Sequence, residues 1–105
     1  MELRQLYFDN PVMRKGLNLT VRNGQKWHSH NGETVALVDG FTGDIVETVT
    51  INTVVMTFEE IPEWVLQFEH DPDSQNPDGL FYTMRGIYGD TFNVDSVVTL
   101  VFFWI

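Results

Sequence analysis

Asn18, Thr20 and Arg22 occupy alternate positions in Leu17-Asn18-Leu19-Thr20-Val21-Arg22, with Leu17, Leu19 and Val21 between them. A period of two is the period of a strand, so the amide, hydroxyl and guanidinium are expected on one face and the aliphatic side chains on the other. Such a face can hold an oxyanion or the edge of a base, the guanidinium in a bidentate fork. A threonine hydroxyl attacks nothing without an adjacent base. The trio is therefore read first as a ligand-binding set, with a solvated strand face on which Arg22 pairs a nearby acid as the alternative.

The other chemistry-bearing residues divide into small groups. Lys15 precedes the strand on the far side of Gly16 and could return its ammonium toward Thr20 by folding back. Trp27, in the polar stretch from Gln25 to Gly32, either stacks on a base or plugs the end of the fold. His28 and His30 have the short spacing of a chelating pair, but two histidines in a polar loop are more simply solvated. Asp71, Asp73 and Asp78 resemble a hard-cation cluster without the glycine and terminal glutamate of a calcium loop, and a solvated acidic loop is preferred. No metal and no cofactor is expected. Glu59, Glu60 and Glu63 are accounted for by a helix start, where acids oppose the dipole.

Charge is unevenly distributed. Arg4, Arg14, Lys15, Arg22 and Lys26, five of the six basic residues, lie in the first 26 positions against only Glu2 and Asp9, a local balance of +3. Residues 27–105 hold one basic and thirteen acidic residues, a balance of −12. The total of −9 opposes sequence-independent binding to duplex nucleic acid and to anionic membranes. It suits docking on a basic protein surface. Any ligand site is expected around the basic turn and strand at 14–22.

At 105 residues and 43% apolar the chain is expected to form a single domain, 1–105, with one modest core. The absence of cysteine rules out disulfides and thiolate metal sites. Met1 to Gln5 lacks the apolar core of a signal peptide, and the apolar runs are too short for a helical span, so a soluble, cytoplasmic protein without membrane partners is expected.

The elements that would position these residues follow in order. Leu3 to Phe8 reads as a strand, and Asn10-Pro11 as the start of one helical turn to Lys15, ended by Gly16. Leu17–Arg22 is a strand and Asn23-Gly24 a turn. Residues 33–39 form a third strand, and 45–57 a long strand expected to bend or bulge. A helix is expected from Glu59 with Trp64, Val65 and Phe68 buried, then a polar loop over 70–76. A second helix starts at Asn76-Pro77-Asp78 with Leu80, Phe81, Met84, Ile87 and Tyr88 on its apolar face, and stops at Gly89. Residues 95–105 read as a central strand. Mainly β with inserted helices, an α+β class, fits a small closed or partly closed barrel.

The basic turn, the order of elements and the terminal strand together resemble the ASCH domain family, a branch of the PUA-like β-barrels. The resemblance spans nearly the whole chain and rests on Gly16 to Arg22, on Gly32-Glu33-Thr34-Val35, on Tyr88-Gly89 and on the strand from Val97 to Phe103. It implies a PUA-like barrel with a cleft beside the first polar strand, holding an RNA segment or a modified nucleoside. It also implies, for some small bacterial members, an amidohydrolase that deacylates a modified cytidine with a lysine, a threonine and a glutamate. Thr20 stands at the threonine place. The lysine place is Leu17, leaving Lys15 as a substitute across Gly16, and Asp78 stands one residue from the glutamate place.

The expectation is therefore a module that binds RNA or a nucleoside through Asn18, Thr20, Arg22, Lys15 and Trp27. If it is an enzyme, it is an amidohydrolase using Thr20, Lys15 and Asp78. The rival is an acidic accessory protein, of the phage type, docking on a basic partner such as a nucleic-acid enzyme.

Overall fold

The computed structural model describes residues 2–105. Six strands, β1 (Arg4–Phe8), β2 (Leu17–Asn23), β3 (Thr34–Asp39), β4 (Ile45–Thr50), β5 (Asn52–Thr57) and β6 (Val97–Trp104), accompany one α-helix, α1 (Pro77–Tyr88). They form two three-stranded sheets, ordered β1-β3-β4 and β2-β6-β5. The first is mixed, with β1 parallel to β3; the second is antiparallel, with Thr20 opposite Val101 and Thr53 opposite the same residue. The architecture is thus mainly β, and the strands pack as two sheets without closing into a barrel.

The second sheet is the middle layer. On one side Val101 and Phe103 pack with Leu6, Phe8, Val35, Leu37, Val49 and Ile51 from the first sheet and the crossover. On the other side Leu19, Val21, Val98 and Leu100 pack with Val65, Leu66, Leu80, Met84, Phe58 and Phe92. Burial on both faces is why β6 reads as an almost unbroken apolar run, and it makes β6 central, as its sequence predicts. Each such buried Leu or Phe contributes on the order of 2 kcal/mol.

The predicted strand over 45–57 is two strands. Ile51 is fully buried between them, its N–H donating to Glu33 O at 3.0 Å and its carbonyl accepting from Gly32 N at 2.8 Å. The chain leaves the first sheet at Thr50 and enters the second at Asn52, so the expected bend is a change of sheet.

Two helical expectations are corrected. Residues 11–15 form no helical turn. Gly16, at φ +104°, instead exchanges backbone hydrogen bonds with Ile105 at 2.9 and 3.0 Å, extending the β2–β6 ladder. The segment from Glu59 forms two 3₁₀ turns, Phe58–Glu60 and Glu63–Phe68. Thr57 donates from both its amide and its hydroxyl to Glu60 Oε1, at 2.9 and 2.8 Å, closing the first turn. Pro62 is extended and has no N–H to continue a ladder. Val65 and Leu66 are the buried residues of the second turn, and Trp64 is 67% exposed.

Helix α1 begins as expected. Asn76 accepts from Gly79 N at 2.8 Å, Pro77 stands in the first turn, and Gly89 ends the helix at φ +81°. Its buried stripe is Leu80 and Met84; Ile87 and Tyr88 are exposed at its end. Among the described residues no helix is long and apolar enough to cross a membrane.

Candidate functional site

The β2 alternation survives folding, but its polar face turns inward. Asn18, Thr20 and Arg22 lie on the side of β2 that faces the first sheet. Asn18 is completely buried and spent on backbone: its amide donates to Arg14 O at 2.6 Å and Gly16 O at 3.2 Å, and its carbonyl accepts from Arg14 N at 3.2 Å. It braces the turn entering β2 and is not available to a ligand. Thr20 is buried, and Arg22, half-buried, reaches the mouth of a cleft of about 350 Å³. The walls include Tyr7, Phe8, Thr20, Arg22, Glu69 and His70, with Met84 and Tyr88 contributed by α1.

Arg22 Nε donates to Thr20 Oγ1 at 3.2 Å, and the guanidinium lies 4.7 Å from the centre of the Phe8 ring. Neither terminal nitrogen has a hydrogen-bond partner among the described residues, and no carboxylate there lies within 4.0 Å of it. Burial lowers the guanidinium below its ordinary pKa, opposed by Tyr88, Glu69 and Asp9, and leaves it charged.

Opposite Arg22 stands a pair that sequence reasoning missed. Glu69 and His70 are adjacent, both buried, with Glu69 Oε1 3.2 Å from His70 Nε2. Their backbone runs along the free edge of β2: Glu69 bridges Leu19, and His70 N donates to Leu19 O at 2.8 Å. Arg14 Nη2, at 3.3 Å, and Gln75 Nε2, at 3.1 Å, both donate to Glu69 O and fix the segment. The imidazole meets the Phe8 ring edge-on at 4.8 Å.

Burial pushes the Glu69 carboxyl up to about 8, against the opposing pull of the Asp71 N–H, the Arg22 charge and the Val21 N–H. Burial likewise lowers His70 to about 4, helped by Arg22 and opposed by the Asp71 charge and the carbonyls of Val12 and Asn10. Both displacements favour the neutral forms, a carboxylic acid beside a neutral imidazole. Glu69 Oε2 and His70 Nδ1 are buried and make no close hydrogen bond, the Val21 N–H and the Val12 and Asn10 carbonyls acting on the pair from longer range, which favours the uncharged forms. The one signal in the sequence was a Glu-His dipeptide next to an apolar Phe68, and it is indistinguishable from a loop start.

The remaining candidates lie elsewhere. Lys15 lines a separate shallow pocket with Arg14, Leu17, Gln67 and Phe68. Asp78 is exposed in the first turn of α1 and does not line the cleft. Thr20, Lys15 and Asp78 are therefore not brought together. Trp27 packs against the core between the sheets and meets His30 edge-on, outside the cleft. His28 is bonded to Thr53 Oγ1 and His30 to Glu33 Oε2, each at 2.8 Å. Asp71 accepts from Asp73 N at 3.0 Å to cap the turn Pro72–Ser74. Among the described residues no three His, Cys, Asp or Glu side chains converge as a metal site.

The basic patch dissolves similarly: Arg14 is spent on the carbonyls of Gln67 and Glu69, and Arg4 lies 3.8 Å from Glu33. Among the described residues only Arg22 brings a positive charge to the cleft. No family model matches the chain, and no curated protein or solved structure matches it.

Proposed function

We propose that this protein is an ASCH-like, PUA-like module whose cleft beside β2 binds a short RNA segment or a modified nucleoside. The observation that carries the reading is the Arg22 guanidinium, anchored through Nε to Thr20 and lying over Phe8, with both terminal nitrogens unpartnered among the described residues. A free planar fork is suited to a phosphate or to the carbonyl edge of a base, and the rings of Tyr7, Phe8 and Tyr88 offer apolar surface for the rest of a nucleoside.

Deacylation of an acylated cytidine is the catalytic version of the same reading. Its support is weaker because Lys15 and Asp78 lie away from Thr20, and Glu69 and His70 are the acid and base that share the cleft with it. Titration with the dinucleotide cytidylyl-cytidine tests the binding proposal. Arg22→Ala is expected to lose binding while keeping the far-ultraviolet circular dichroism of the parent; equal affinity in the two proteins overturns it. Release of free acid from acetylated cytidine, abolished by Thr20→Ala, is the expected result of the catalytic version, and no turnover by the parent protein ends it.

A further inference from the structure

We propose that the cleft takes up an oxyanion together with a proton held on Glu69, so that a carboxylic acid, not a carboxylate, faces Arg22 when the anion is bound. This rests on the cleft reading above and adds the residue that regulates it.

The geometry begins with competition for one cation. Glu69 and Arg22 line the same cleft, yet among the described residues their side chains form no ion pair: no Glu69 oxygen lies within 4.0 Å of the guanidinium, and Oε2 makes no close hydrogen bond. The Glu69 side chain is only 4% exposed, so the bulk solvation that would stabilise its charged form is largely withheld. Ionised, this carboxylate would place a buried negative charge in the same cleft as a free guanidinium, and its charge would weaken the attraction that draws a ligand there. Protonated, it leaves the fork to the ligand.

The neutral state is self-consistent in its hydrogen bonds. A carboxylic acid and a neutral imidazole carry one proton each, and one of these occupies the Oε1–Nε2 contact. The other then sits on Oε2 or on Nδ1, according to which partner donates. Binding adds a proton to a carboxylate oxygen when the carboxylate is the starting form, forming one O–H bond and breaking none in the protein.

The other charged or titratable groups facing the cleft are Asp9 after β1, Tyr7 on β1, His70 and Asp71 beside Glu69, and Tyr88 on α1. Asp9 and Asp71 already oppose the single cation. These two carboxylates already outnumber it, so a third and buried one would deepen the repulsion that an oxyanion meets there. The upward displacement of this carboxyl to about 8 puts the change within reach of mild alkali.

Two probes separate the inference from the reading beneath it. Sulfate keeps its charge between about pH 6.5 and 9 and has no base; cytidylyl-cytidine keeps its single phosphodiester charge over the same range. Both are expected to bind about tenfold more weakly at pH 9 than at pH 6.5, with uptake of about one proton at the higher pH. Glu69→Gln, which keeps the shape and neutrality of the acid, is expected to bind equally at the two pH values. If that variant does not fold, carbon-13 titration of the glutamate carboxyls in the parent protein takes its place: the carboxyl with a midpoint near 8 must move upward when sulfate is added.

Affinity independent of pH in the parent protein, parallel losses in Glu69→Gln, or an unmoved carboxyl midpoint overturns the proton coupling and leaves the cleft reading standing. Coupled binding of sulfate without binding of the dinucleotide supports the coupling and removes the RNA reading. Failure of both probes at pH 6.5 overturns both.

Discussion

Arg22 Nε and Thr20 Oγ1 are joined at 3.2 Å along one face of β2, and this bond sets the direction in which the guanidinium fork faces the cleft. Thr20→Val keeps the branched shape and removes the acceptor. Its stability is expected to stay within about 1 kcal/mol of the parent, while affinity for a phosphodiester falls several-fold because the fork loses its anchor. Arg22→Lys is expected to lose more, since an ammonium cannot replace bidentate geometry. Calorimetric titration of the two variants ranks the effects; a larger loss in Thr20→Val would contradict this assignment of roles.

Lys15 supplies a negative control with a physical reason. It lines a pocket with Leu17 and Phe68 that is distinct from the cleft. Lys15→Ala should leave sulfate and dinucleotide affinity within about twofold of the parent, the change expected of an exposed, screened charge. A tenfold loss would mean that the side chain does fold back across Gly16.

Asn18 was expected to touch ligand and is instead the brace of the β2 entry. Removing it strands the Arg14 N–H and the Arg14 carbonyl, while the Gly16 carbonyl keeps its bond from Ile105 N. Asn18→Ala is expected to cost about 2–3 kcal/mol in denaturant unfolding. Asn18→Asp should cost more, because a carboxylate would face two carbonyl oxygens. Wild-type stability in either variant would return Asn18 to the list of ligand contacts.

These three residues show how far the sequence was legible. Alternation in β2 correctly put Asn18, Thr20 and Arg22 on one face, since a period of two is a property of the backbone. It could not say whether that face met water or a second sheet, because that depends on β1 and β3, whose partnership is parallel and distant in sequence. Residues 45–57 read as one strand because both halves alternate, and the change of sheet at Ile51 leaves no mark in composition. Glu69 and His70 were invisible for a related reason. Their chemistry comes from burial along the edge of β2, a tertiary fact, whereas the charge runs that drew attention mostly serve turns and caps.

The pH dependence of stability follows from the same pair. His70 lies below its ordinary 6.5, at about 4, so the unfolded chain binds more protons and stability is lost as pH falls from 6.5 through 4. Glu69 lies above its ordinary 4.5, at about 8, so the folded chain binds more protons and stability is lost as pH rises from 4.5 through 8. Between 4.5 and 6.5 the two slopes offset one another. Thermal unfolding is expected to show a plateau in that window and a decline toward pH 8 of at most about 1.4 kcal/mol per unit. Glu69→Gln should flatten the alkaline limb and leave the acid limb in place. An unchanged alkaline limb would place the responsible group elsewhere.

Two glycines of α1 give opposite expectations for one substitution. Gly86 is exposed, and an added Cβ there meets nothing within 4 Å. Alanine loses less backbone entropy than glycine on entering a helix, so Gly86→Ala is expected to stabilise by about 0.5–1 kcal/mol. Gly79 stands two residues after Pro77, where the helix start is pressed against the turn Pro72–Ser74, and a Cβ there would fall 2.0 Å from the Asp73 carbonyl oxygen. The obstacle is backbone and cannot rotate away. Either the turn or the first turn of α1 must move, and the turn carries Ser74, whose hydroxyl meets Thr83 Oγ1 at 3.2 Å along the cleft wall. Gly79→Ala is therefore expected to destabilise by more than the helical gain, by about 1–3 kcal/mol, and to weaken ligand binding because Ser74, Thr83 and Met84 line the cleft together. Denaturant midpoints of the two variants against the parent measure both signs. Stabilisation by Gly79→Ala would show that the turn and helix do not make this close approach.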